Sequence, residues 1–141
     1  MLVDASGLIA LLDRSDAGHA RCTDALKNLP AHGLASAAGP ALLTVWPALT
    51  EAMHLLADVP RAPATLLDMV RDGVLGLIDL DDTDVPRLAE LMEKYADLPM
   101  DFADAALVCA AERSGVRTIL TLDHHFTVYR LPKRARLTLV P

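Results

Sequence analysis

Cysteine is scarce in this chain of 141 residues. There are two, Cys22 and Cys109, both inside helix-like patterns and without metal-ligand spacing between them. Two buried reduced thiols in a cytosolic protein are the expected reading, with a single disulfide as the alternative. Long apolar runs are absent too. The start, Met1-Leu2-Val3, meets an acid at position 4, which argues against a signal peptide. Residues 28–50 contain no Asp, Glu, Lys or Arg, but Pro30, Gly33, Gly39, Pro40 and Pro47 interrupt them. A membrane span needs about 20 continuous apolar residues. The segment therefore reads as a loop plus a buried strand, with apolar surface to spare for a partner, and a soluble, cytoplasmic protein is expected. Positive charge is in the minority: 13 Lys and Arg stand against 19 Asp and Glu, a net charge of −6. That argues against a passive nucleic-acid binder. The basic residues are uneven, however, with Arg130, Lys133, Arg134 and Arg136 falling within seven positions.

What the chain has is 52% apolar residues, enough for the core of one domain over residues 1–141. No internal repeat or low-complexity segment divides it. Strand-like and helix-like segments alternate. Strands are expected at 1–3, 42–46, 74–80, 118–122 and 137–140. Helices are expected at 6–12, 16–29, from Pro47 through Leu56, 62–72, 85–95 and 101–114. Asp16 is a plausible cap for the second helix, Thr83 or Asp84 for the fifth, and Gly73 and Gly115 end two others. Alternation of this kind predicts an α/β fold, a parallel sheet covered on both faces.

Four acids then stand out by position. Asp4 closes the first strand. Glu51 lies in the helix after the second, roughly 200° around from Leu49 and so off the core stripe. Asp104 opens the helix that ends at Gly115, and Asp123 follows the strand ending in Ile119-Leu120-Thr121-Leu122. In an open parallel sheet, ligand chemistry gathers beyond the carboxyl ends of the strands. Acids delivered there from distant segments repel one another and call for a divalent cation. Each has a plainer explanation taken alone: Asp4 as a helix cap, Glu51 as a solvated surface residue, Asp101 and Asp104 as a capping-box-like pair. Capping and ligation do not exclude each other. His124 and His125 point to different sides of an extended chain, which argues against a joint metal role.

The residues 2–16 LVDASGLIALLDRSD, 43–56 LTVWPALTEAMHLL, 97–115 DLPMDFADAALVCAAERSG and 119–130 ILTLDHHFTVYR together resemble the PIN-domain ribonucleases, specifically VapC-type toxins of bacterial toxin–antitoxin pairs. The resemblance covers nearly the entire chain. It implies a three-layer α/β/α sandwich around a five-stranded parallel sheet of order 3-2-1-4-5. It also implies an acidic quartet at Asp4, Glu51, Asp104 and Asp123, supported by Ser6 and Thr121, with Asp101 as a further ligand or a helix cap. The implied activity is Mg²⁺- or Mn²⁺-dependent endonucleolytic cleavage of single-stranded RNA. The implied partners are a second copy in a homodimer and an antitoxin covering the cleft. Arg14, Arg113, Arg117, Arg130, Lys133 and Arg134 are candidates for phosphate contact. With one Trp, two Tyr and two Phe, base stacking is expected to be a minor part of RNA binding.

Three other readings compete with this one. A haloacid-dehalogenase-like phosphatase needs an acid where Ser6 stands. A receiver domain needs an early acidic pair and a late lysine that this chain does not supply. A PIN-like module that binds RNA or protein without cleaving is the more serious rival.

Overall fold

The computed structural model describes residues 1–28, 42–98 and 100–141, so most of the uncharged segment lies outside the described residues. Five short strands form one sheet: β1 (Leu2–Val3), β2 (Leu42–Thr44), β3 (Leu75–Leu77), β4 (Thr118–Leu120) and β5 (Thr138–Val140). Every pairing is parallel and the order is β3-β2-β1-β4-β5, the topology the resemblance implies. The helices are α1 (Ala5–Leu12), α2 (His19–Lys27), α3 (Trp46–Leu55), α4 (Ala62–Arg71), α5 (Val85–Lys94) and α6 (Phe102–Ser114).

Neighbouring strand residues face opposite sides of a sheet, and the core divides accordingly. Leu2 and Ile119 pack with Leu107, Leu91 and Tyr129 on one face. Val3 and Leu120 pack with Leu8, Leu49 and Leu66 on the other. The result is two apolar layers with the sheet between them. Helix α6 is buried continuously from Ala103 to Ala111, and its run of alanines lets it lie close to the sheet. Gly7 serves the same end in α1: a Cβ there would meet the Leu120 carbonyl oxygen at 2.6 Å. Only glycine lets the first turn of α1 approach β4 so closely. Both cysteines are buried and free.

Several local expectations change. The strands at 42–46, 74–80 and 118–122 shorten to three residues each; beyond β2 the chain turns into α3, and beyond β4 the Leu122 and Asp123 N–H groups donate to the Ser6 and Thr121 hydroxyls. Pro47 lies in the first turn of α3, where its fixed φ is accommodated. Asp16 does not cap α2; its Oδ1 accepts from Gly18 N at 2.7 Å in the preceding turn, and Gly18 occupies the cap position. Asp84 holds the N-cap position of α5, as one of the two expected residues, but makes no side-chain capping bond there. A short 3-10 turn, Asp82–Asp84, leads into it, with Asp81 accepting from Thr83 N at 2.9 Å. Among the described residues, no helix is long and apolar enough to cross a membrane.

Candidate active site

Because the strands are parallel, their carboxyl ends share one edge, and that edge carries the acids. Asp4 is the N-cap of α1. It is buried, and its Oδ2 accepts from Ser6 Oγ at 2.7 Å and Thr121 Oγ1 at 3.0 Å. Both hydroxyls also reach the chain after β4: Ser6 Oγ accepts from Leu122 N at 3.0 Å, and Thr121 Oγ1 accepts from Asp123 N at 2.9 Å. A single polar network thus ties the first acid to the last, across 119 positions of sequence. Thr44 Oγ1 closes the same edge by donating to the Val3 carbonyl at 2.8 Å.

Asp104 sits in the first turn of α6, buried except for 6% of its surface. Its backbone N–H donates to Asp101 Oδ1 at 2.9 Å, so Asp101 does cap the helix. The return half of a capping box is not made. The Asp104 carboxylate turns to Tyr129 instead, whose buried phenol donates to Oδ2 at 2.8 Å. Asp123 caps a short turn, His124–Thr127, by accepting from His125 N at 2.8 Å, and the His125 ring nitrogen Nδ1 lies 2.9 Å from its Oδ1. His124 takes no part in that contact.

The electrostatics show how far the acids share one field. Burial pushes the Asp104 carboxyl up to about 7; the Tyr129 hydrogen bond opposes this, and the charges of Asp101, Asp4 and Asp123 add to it. Glu51, half-buried on α3, is raised by burial and then by Asp101, Asp4 and Asp123. Asp4 is raised by burial, against the two hydroxyls that hold its charged form. Asp4, Asp101 and Asp123 therefore act on both Glu51 and Asp104. Yet among the described residues no three His, Cys, Asp or Glu side chains stand close enough together to form a ready-made ligand set. The carboxylates face one region without closing on one point.

The expected phosphate contacts are scattered. Arg113 is engaged in an ion pair with the buried Asp84 and lies 3.7 Å from Asp81. Arg130 Nη1 donates to the carbonyls of Thr127, Val128 and Tyr129. Arg130, Lys133 and Arg134 do share a hollow with Arg87 and Lys94. Arg87 pairs with Glu112, in the last turns of α6, at 2.7 Å, so this basic hollow reaches the far end of that helix from Asp101 and Asp104, while Arg130 follows Tyr129, the partner of Asp104. Arg117 and Lys133 line a smaller depression at the same far end, beside Gly115. Arg14 is exposed after α1. Neither hollow includes Asp4, Glu51, Asp101, Asp104 or Asp123.

Sequence reasoning missed Tyr129. The signal it carried was its place three residues after Phe126, in the segment after the last acid; both rings are buried and packed at 5.3 Å.

The fold has counterparts in known proteins. The chain belongs to the PIN-domain family, which it matches over residues 1–131. Within that family its likeness is to VapC proteins. Ribonuclease VapC26 of Mycobacterium tuberculosis is 29% identical over 144 residues, with 100% of both chains covered. Among solved structures, the Mycobacterium tuberculosis toxin VapC20, which cleaves the sarcin–ricin loop, matches with a TM-score of 0.76 at 19% identity. That match covers 90% of this chain and 92% of the toxin. PAE2754 from Pyrobaculum aerophilum matches with a TM-score of 0.54 at 20% identity, covering 99% of this chain and 87% of its own. At those identities the two structures bear on the fold.

Proposed function

We propose that this protein is a divalent-metal-dependent endoribonuclease, the toxin of a toxin–antitoxin pair, which hydrolyses phosphodiester bonds in single-stranded or loop RNA. The observation that carries the reading is the meeting of acids from four separate segments at one sheet edge, with Asp104 and Glu51 pushed up by burial and by their acidic neighbours. Like charges held together in this way favour a bound cation. The donors are all hard carboxylate oxygens, which suit Mg²⁺ or Mn²⁺. Their spacing, too open for a closed protein cage, suits an ion that keeps several of its waters.

In this reading Asp4, Glu51, Asp104 and Asp123 hold the ion, and Asp101 adds charge while capping α6. When bound, the ion supplies an activated water and neutralises charge that develops on phosphate oxygens. The chain's own residues do the positioning. Ser6 and Thr121 fix Asp4 through Oδ2, and Tyr129 fixes Asp104 through Oδ2. Such outer partners orient ligands and set their basicity. The polymer, the antitoxin and the homodimer rest on the likeness to VapC proteins.

The second reading, a PIN-like module that binds RNA or protein without cleaving it, draws support from the lack of a ready-made ligand set among the described residues. Mapping RNA ends in cells separates the two. Cells expressing the protein should accumulate new RNA ends at recurrent positions, and cells expressing Asp104→Asn should not. An unchanged map with the intact protein would favour the binding module.

A further inference from the structure

Five basic residues of this acidic chain gather in one place. Arg87, Lys94, Arg130, Lys133 and Arg134 line a hollow of about 500 Å³ between α5 and the segment after Tyr129. Arg117 and Lys133 line the depression next to it, beside Gly115. Arg87 is held by Glu90 and Glu112 at 2.8 and 2.7 Å. Acids outnumber bases by 19 to 13. Yet among the described residues, no carboxylate pairs with Lys94, Arg117, Arg130, Lys133 or Arg134. Tyr95 organises two of these cations. Lys94 Nζ lies 4.9 Å from its ring centroid, and the Arg130 backbone N–H donates to its hydroxyl at 2.9 Å. Arg130 Nη1 is held by three carbonyls, which leaves Nε and Nη2 for a ligand.

An exposed Lys or Arg needs no explanation by itself; the backbone under two of these sets them apart. Lys133 and Arg134 have φ of 57° and 59°, in the left-handed region that glycine occupies freely and other residues rarely adopt. Both are exposed, so no core packing offsets that strain. Strained residues of this kind collect at ligand-binding places. A turn selected for shape alone would carry Gly or Asn, but two long cations stand here.

Charge and extent define the occupant. Arg87 and Lys94 are seven positions apart on α5, about 10 Å along its axis, too far to clasp one phosphate together. A ligand that meets the whole hollow carries anionic groups at intervals along its length. Val85 and Met92, exposed apolar residues of α5, stand roughly 200° around the helix from Arg87 and Lys94. A protein partner seated on that apolar flank therefore leaves the hollow open. The hollow also leads back toward the acids. Arg130 follows Tyr129, the partner of Asp104, and Glu112, at the other end, lies about 12 Å along α6 from Asp104. One strand of RNA can span both places.

We propose that the hollow lined by Arg87, Lys94, Arg130, Lys133 and Arg134 is an exosite for the RNA backbone, gripping phosphates beside the one presented to the acids. The identity of the polymer rests on the proposed function; the exosite itself is tested without cleavage. It gives a protein of net charge −6 a place to hold an anionic substrate against its own carboxylates. Binding there is indifferent to base sequence and weakens steeply with salt.

The probe is a short fluorescein-labelled single-stranded RNA, its binding followed by anisotropy without divalent metal across a range of KCl. For a single strand, each phosphate contact adds about 0.7 to the steepness of log affinity against log salt. Lys133→Gly with Arg134→Gly keeps the left-handed turn and removes both cations. That steepness should fall by about 1.4, and the melting temperature should not fall. Lys94→Gln, at the exposed end of α5, should lower it by about 0.7. Arg21→Gln, an exposed cation on α2 outside the hollow, should leave it unchanged. No RNA binding at low salt, an unchanged steepness in the hollow variants, or an equal fall in Arg21→Gln would overturn the exosite. Poly-glutamate that competes as well as RNA of equal charge would overturn RNA as its occupant. Cleavage of the same RNA is then measured with Mg²⁺. Steepness that falls as expected, without cleavage, would keep the exosite and sink the nuclease reading. Cleavage that depends on Asp4 and Asp104, with unchanged steepness, would do the reverse.

Discussion

The phenol of Tyr129 donates a hydrogen bond of 2.8 Å to Asp104 Oδ2 from inside the core. Tyr129 is 1% exposed and Asp104 6%, so the bond is shielded from water. It counteracts the burial that raises the Asp104 carboxyl, and it orients that carboxylate by packing rather than by helix capping.

Replacing Tyr129 with Phe removes this donor and keeps the ring. Loss of a hydrogen bond to a buried acid costs about 1–3 kcal/mol, so the melting temperature should fall by several degrees. Losing an outer partner of a ligand costs roughly 10- to 100-fold in metal affinity or activity. We expect metal-dependent cleavage to fall within that range and its pH profile to move upward, because Asp104 then ionises at higher pH. Activity assayed from pH 6 to 9 checks both. An unchanged profile would remove Tyr129 from the site.

Stability should run with pH in the direction set by the raised acids. Asp104 binds its proton up to about pH 7 in the folded protein but releases it near pH 4 when unfolded. Its contribution is therefore full below about pH 4 and lost as the pH rises through about 7. Asp4 and Glu51, both raised, act with the same sign. Without metal, the melting temperature should fall from pH 4 to 8 more steeply in the native protein than in Asp104→Asn. Mg²⁺ or Mn²⁺ binds the ionised acids, so it should raise the melting temperature more at pH 8 than at pH 5. An equal rise in Asp4→Asn would put the ion elsewhere.

Arg113 should behave as a structural residue rather than an RNA contact. Its partner Asp84 is buried, and also accepts from Asp81 N at 2.9 Å. Removing one partner of a buried pair costs roughly 3–5 kcal/mol. Arg113 is 44% exposed, which places Arg113→Ala toward or below the lower end of that range. The melting temperature should drop while the salt dependence of RNA binding stays the same. A shallower salt dependence would restore Arg113 as a phosphate contact.

Much of this could be read before the structure, because it depends on features local in sequence. The apolar runs announced the strands, Gly115 ended α6, and acids just past strand ends announced where the carboxylates would gather. What could not be read depends on contacts made through space. Asp84 does hold the N-cap position of α5, but its carboxylate meets Arg113, which α6 brings against it. Arg130, Lys133 and Arg134 formed a basic cluster in sequence, but they line a hollow with Arg87 and Lys94 that holds none of the five acids. The pairing of Tyr129 with Asp104 joins segments 25 positions apart.

The most direct test of the central claim is cleavage of structured RNA by the purified protein as Mg²⁺ or Mn²⁺ is added, beside Asp4→Asn and Asp104→Asn. The native protein should not cut in chelator, and its rate should rise as metal is added. Each variant should lose more than the roughly 10- to 100-fold that an outer partner costs, while keeping its fold. Metal-supported cleavage undiminished in both variants would contradict that claim.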